Sequence, residues 1–140
     1  MKPFEPCLNL QLRKANRVMS QIYDAYLAPV GIKTSQFSIL RAIDYFHMTT
    51  NRQLQEALIL DQTSLTRALK PLVRDGYIVV SINAEDRRQK QLVLSTKGSA
   101  LLAAALDEWN KAQAHVSERL GDLNTQAILD ISEAVVRLKG

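Results

Sequence analysis

Leu8, Leu12, Ala15, Met19, Ile22 and Tyr26 follow one another at alternating spacings of four and three, with Arg13, Lys14, Arg17, Gln21 and Asp24 between them. That period belongs to an α-helix with one apolar stripe. The pattern stops at Pro29 and Gly31: the proline disfavours helical geometry in the residue before it, and the glycine tolerates positive φ. Thr34 is a candidate cap for a second helix with apolar positions Phe37, Leu40 and Ile43. Thr50 and Gln53 have the spacing of a capping box for a short third helix carrying Leu54 and Leu58. Asp61 is a good N-cap for a fourth, in which Leu65, Leu69, Leu72 and Val73 face one side until Asp75 and Gly76. Pro71 lies inside that pattern and cannot donate to the Arg67 carbonyl, which predicts a local irregularity or bend rather than a break.

The period then changes. Residues 77–82 are rich in β-branched side chains, residues 83–90 are polar, and residues 91–94 are extended again, so a hairpin with a long, projecting tip is predicted. From Thr96 a helical pattern resumes with Leu102, Leu106, Trp109, Val116 and Leu120, ends at Gly121, and is followed by a last helix carrying Ile128, Ile131, Val135 and Leu138. A helix of about 24 residues extends about 36 Å. That is longer than a 140-residue core requires, and the first helix carries its apolar stripe to its end. Both predict burial against another copy of the chain.

Composition narrows the partners. The 140 residues fit one domain, the chain has no internal repeat or low-complexity linker, and its formal net charge of +4 favours an anionic partner such as nucleic acid or a membrane surface. No apolar run approaches the roughly 20 residues needed to span a bilayer, the nearest being residues 100–106. Residues 1–6 lack the layout of a signal peptide. The single Cys7 cannot form an internal disulfide, and no zinc-site spacing is present. A soluble, cytoplasmic protein without cofactor or metal is expected. No nucleophile-base pair, metal cluster or phosphate-cradling glycine loop supports an enzyme.

The placement of charge decides between nucleic acid and membrane. A mainly α chain is predicted, with six helices and a two- or three-stranded β wing, and it sets a helix-turn-helix beside a basic hairpin. The first turn and a half of the fourth helix displays Gln62, Thr63, Ser64, Thr66 and Arg67, side chains suited to base edges and phosphates in a major groove. Lys70 and Arg74 follow Arg67 on a common side, a repulsive arrangement unless an anion neutralises it. At the hairpin tip stand Glu85, Asp86, Arg87, Arg88, Gln89 and Lys90, where guanidinium groups can reach a minor groove and Asp86 can orient a neighbouring arginine by an ion pair. Capping and solvation alone would account for each group separately. The alternative to operator binding is a winged-helix protein-interaction module whose basic face meets an acidic partner.

Taken together, Thr34-Ser35-Gln36-Phe37, residues 61–72 (DQTSLTRALKPL), Asp75-Gly76-Tyr77-Ile78, Asp86-Arg87-Arg88 and Leu94-Ser95-Thr96-Lys97-Gly98 resemble the MarR family of bacterial transcriptional regulators, from about Leu10 to Leu138. The resemblance implies a single unit over residues 1–140. Within it, residues 33–97 form the winged-helix DNA-binding lobe, and residues 7–30 with 98–140 form the dimerisation region. It further implies a homodimer on a pseudo-palindromic operator of double-stranded DNA, with residues 63–67 in the major groove, Arg88 in the minor groove and Asp86 holding the wing. A repressor released by a small-molecule or oxidative signal is the form of regulation it suggests. Pro71 is familiar in this setting. Hydroperoxide-sensing members carry a reactive cysteine in the first helix near tyrosines of the second. Cys7 lies about two residues early and no tyrosine follows Gln36, so Cys7, the one redox candidate, reads as incidental. Other members bind small aromatic acids between the dimer helices and the DNA lobe. Met19, Tyr23, Tyr26, Phe37, Tyr45 and Phe46 are candidates for such a crevice, although residues of this type at helical spacing also serve as core. His47 and His115 read as structural or surface residues, and Trp109 as a core or dimer anchor.

Overall fold

The first apolar stripe folds as α1 (Leu8–Leu27), which runs into a 3-10 turn at Ala28–Val30 and reverses at Gly31, whose φ is +85°. The computed structural model describes residues 5–140. It continues with α2 (Thr34–Phe46), α3 (Asn51–Leu58), α4 (Gln62–Arg74), β1 (Ile78–Ile82), β2 (Lys90–Leu94), α5 (Thr96–Leu120) and α6 (Asp122–Arg137). The mainly α, winged helix-turn-helix architecture expected from the sequence is present.

One core joins the lobe to the long helices. Phe37, Ile39, Leu40 and Ile43 of α2 are buried with Leu54 of α3, with Leu65, Leu69 and Leu72 of α4, and with Ile78 and Leu92 of the hairpin. Leu102 and Ala105 of α5 and Leu27 of α1 close the same cluster. Ala105 and Ala112 of α5 are both fully buried, and α5 packs along α1. Val73, expected on the inward face of α4, is instead 38% exposed, because the buried positions step by four and three from Leu65 to Leu72 and leave it off the stripe.

Local chemistry differs from expectation at two helix starts. Thr34 does not cap α2. It is the first helical residue, Lys33 precedes it in extended geometry, and the Thr34 N–H and hydroxyl both donate to Asp24 Oδ1 of α1, at 2.8 and 2.7 Å. Thr50 does cap α3, accepting from the Gln53 N–H at 3.1 Å, but the Gln53 carboxamide accepts from the buried Thr49 hydroxyl at 2.6 Å rather than completing a box. Pro71 produces no break, as expected: α4 runs as one α-helix through it, with Leu69 and Leu72 buried on either side.

The wing is an antiparallel pair with Ile78 opposite Leu94 and Ile82 opposite Lys90. Thr49 adds a one-residue third strand, exchanging hydrogen bonds with Leu92 at 3.1 and 2.7 Å. The base of the wing is locked to α5. The Ser95 hydroxyl donates to the Gly76 carbonyl at 2.5 Å and accepts from the Gly98 N–H at 3.0 Å, while Lys97 Nζ donates to the Asp75 carbonyl at 2.7 Å and lies 4.6 Å from the Tyr77 ring centroid. Gly98 is buried against Tyr77, where any Cβ would collide with the Tyr77 carbonyl oxygen.

Candidate nucleic-acid interface

The start of α4 is set by Asp61, whose Oδ1 accepts from the Ser64 N–H at 2.7 Å and whose Oδ2 accepts from the Ser64 hydroxyl at 3.1 Å. These bonds, with a smaller contribution from Arg67, hold the Asp61 carboxyl below its ordinary range. Ser64 is thereby committed to the cap and turned toward a groove between α4 and the start of α2, which it shares with Lys33, Ser35, Gln36 and Arg67. Gln62, Thr63, Thr66, Arg67 and Lys70 are brought together around one shallow exposed concavity. Leu65, Leu69 and Leu72 anchor the opposite face of the helix in the core, so this surface has a fixed backbone behind it.

Arg74 stands apart. Its guanidinium makes two bonds to Asp75, at 3.0 and 3.1 Å, which raise the arginine pKa and lower that of the aspartate. The expected row of three like charges therefore reduces to Arg67 and Lys70, neither of which joins an ion pair among the described residues.

The wing tip is organised by its own backbone. Asn83 Oδ1 accepts from the Glu85 N–H at 3.0 Å, the Asn83 N–H donates to the Gln89 carbonyl at 3.0 Å, and Asp86 Oδ1 accepts from the Arg88 N–H at 3.0 Å. Asp86 was expected to orient an arginine side chain. Among the described residues it makes no ion pair; its Oδ1 accepts from the backbone of Arg88 instead. Arg87 and Arg88 are exposed without such partners. Arg88 also borders a cleft of about 380 Å³ between the wing and the start of α3, with Thr50, Asn51, Arg52, Gln89 and Lys90.

The aromatic candidates do not converge. Phe37 is in the core, its ring centroid 5.9 Å from that of Trp109, and the Arg41 guanidinium lies 4.5 Å from the Trp109 ring centroid. The Tyr23 hydroxyl, its pKa raised by burial, donates to Gln113 of α5. Tyr26 packs near His115 at 6.0 Å. Tyr45 and Phe46 meet edge to face at the end of α2, with Tyr45 78% exposed. Of the six, Met19 alone lines the cleft of about 600 Å³ formed by α1, α5 and α6, beside Val18, Ile22, Val116 and Ile128. Cys7 is exposed and occupies the cap position of α1. His47 ends α2 at a φ of +65°, and among the described residues no group of acidic, histidine or cysteine side chains could hold a metal.

Sequence reasoning missed the polar ties that aim these surfaces: Asp24 to Thr34, Tyr23 to Gln113, and Ser95 and Lys97 to the 75–77 turn. The last alone had a visible trace, in the two short motifs that bracket the hairpin.

A sequence model of the MarR family matches residues 32–90. An HTH-type transcriptional regulator of Bacillus cereus is 29% identical over 99 residues, which cover 71% of this chain and 65% of that protein; the chain thus spans less than two thirds of this relative's length. The multiple antibiotic resistance protein MarR of Escherichia coli is 30% identical over 90 residues, covering 64% of this chain and 62% of that one. Among solved structures, the M. tuberculosis transcriptional regulator MosR in complex with DNA superimposes with a TM-score of 0.82 at 32% identity, covering 96% of this chain and all (100%) of that chain.

Proposed function

The chain belongs to the MarR family, and from that premise we propose that it is a sequence-specific DNA-binding transcriptional regulator, acting as a homodimer on a pseudo-palindromic operator. The observation that carries this reading is the surface of Gln62, Thr63, Thr66, Arg67 and Lys70. It is exposed on a helix buried from behind and flanked by a wing whose Arg87 and Arg88 have no acidic partner among the described residues. The α4 surface enters the major groove and supplies base discrimination, with Arg67 reading a guanine or clamping a phosphate. Arg88 reaches the minor groove, and Asp86 acts by holding the turn that presents it. Ser64 contributes through the cap, and Arg74, held by two bonds to Asp75 where Arg52 has a single one to Glu56, contributes least.

Repression, with release by a small-molecule or oxidative signal, is the form of regulation we assign. Among the described residues no helix is long and apolar enough to cross a membrane. The test is selection of bound duplexes from a random pool, followed by titration at fixed salt. The selected duplex should bind at least about 10³-fold more tightly than competitor DNA, and Arg88→Ala should weaken it while leaving the fold intact. Equal, weak affinity for every duplex would favour a protein-interaction module instead.

A further inference from the structure

The cleft between the wing and α3 gathers three cations, Arg52, Arg88 and Lys90, around about 380 Å³ of open space. The Thr49–Leu92 bridge fixes its two walls, since it ties the residue before the Thr50 cap to the strand that begins at Lys90. The bonds from Asn83 and Asp86 to the 88–89 backbone hold the outer lip. One acid is near: Glu56, which pairs with Arg52 at 3.3 Å, both side chains being largely exposed. Arg88 and Lys90 have no ion-pair partner among the described residues. Cations converging on one concavity repel one another unless an anion sits between them, and an exposed i,i+4 pair such as Arg52 with Glu56 is weak enough to exchange for a phosphate.

We propose that Arg52 and Lys90, together with Arg88, clamp one backbone phosphate of the bound duplex in this cleft, between the start of α3 and the wing. This rests on the DNA-binding reading above and adds a contact that carries no sequence information. Glu56 acts as an internal competitor that holds Arg52 in place in the free protein and opposes the clamp.

Arg52→Ala, Lys90→Gln and Glu56→Gln are all surface changes, and circular dichroism and thermal melting would establish that each folds. At about 0.1 M salt each cation variant should lose roughly three- to tenfold in affinity, equally for the selected duplex and for competitor DNA, and its salt slope should flatten by about 0.9. Glu56→Gln should tighten binding to both duplexes, an outcome that a merely structural role for this surface does not give. Wild-type affinity and slope in both cation variants, or a loss confined to the selected duplex, would overturn the clamp while leaving the DNA-binding reading intact. Failure of the unaltered protein to bind any duplex would remove both.

Discussion

Two residues at the ends of α3 and α4 show how single side chains set the helix-turn-helix. Ile59 closes α3 at a φ of +52°, a left-handed conformation that costs a β-branched residue roughly 1–2 kcal/mol. Its side chain is 46% exposed, so little burial offsets that cost. Ile59→Asn should therefore raise the urea midpoint, by roughly 0.5–1 kcal/mol of stability; a loss would show that the isoleucine packs more than its exposure suggests. Asp61 begins the next helix with a folded-state pKa lowered chiefly by its bonds from Ser64. A depressed carboxylate pKa contributes stability that is complete above the unfolded-state value of about 3.9 and drains away as pH falls through the lower folded-state value. Asp61→Asn keeps a capping oxygen without the titration, so between about pH 5 and pH 2 it should lose less stability than the native chain. Parallel curves for the two proteins would refute this. At Gly98 the argument is steric. Gly98→Ala must push β1 and α5 apart, at a cost of roughly 2 kcal/mol or more, seen as a lower melting temperature and loosened protection of the Tyr77 amide.

At the scale of elements, what was legible and what was not divides by the kind of interaction. Buried leucines on α4, the β-branched run and polar tip that make the hairpin, and the Asp61 and Thr50 caps leave periodic or local traces in the chain, and all of them reappear in the structure. The polar ties of Asp24 to Thr34 and of Tyr23 to Gln113 leave none. Asp24 and Thr34 lie ten residues apart on different helices, and nothing in either neighbourhood distinguishes Thr34 from an ordinary cap. The same blindness explains Arg74, whose salt bridge with Asp75 depends on rotamers at a helix end, and Asp86, which was paired with a side chain when its nearest donor was a backbone N–H. The Asp24 tie matters because it fixes α1 against the lobe. Asp24→Ala leaves the Thr34 hydroxyl and N–H without their acceptor and should cost about 1.5–3 kcal/mol in chemical denaturation. An unchanged midpoint would mean that apolar packing alone orients α1.

For the whole molecule, the decisive fact is how little of α1 and α6 the chain covers by itself. No residue of α6 is buried, Leu123 and Leu138 are 89% and 84% exposed, and Leu8 at the other end of the chain is 82% exposed. Between these helices, Leu12, Met19, Ile128 and Ile131 line a second apolar cleft that adjoins the first. A soluble monomer rarely leaves so continuous an apolar surface open, and a second copy offers the same stripes in return. In the homodimer proposed above, the long α5 sets the distance between the two wings, which makes dimerisation and operator spacing one property of that proposal. Ile128→Asp places a charge in the middle of this face, outside the core of the winged-helix lobe. Sedimentation equilibrium should find the native chain dimeric and the variant monomeric, with the far-ultraviolet spectrum little changed. Each lobe would still engage a half-site, but the second contact would no longer be intramolecular, and operator affinity should fall on the order of 10²-fold or more. A variant that stays dimeric would move the interface elsewhere. A monomeric variant with full operator affinity would instead separate half-site recognition from the helices that link the two copies.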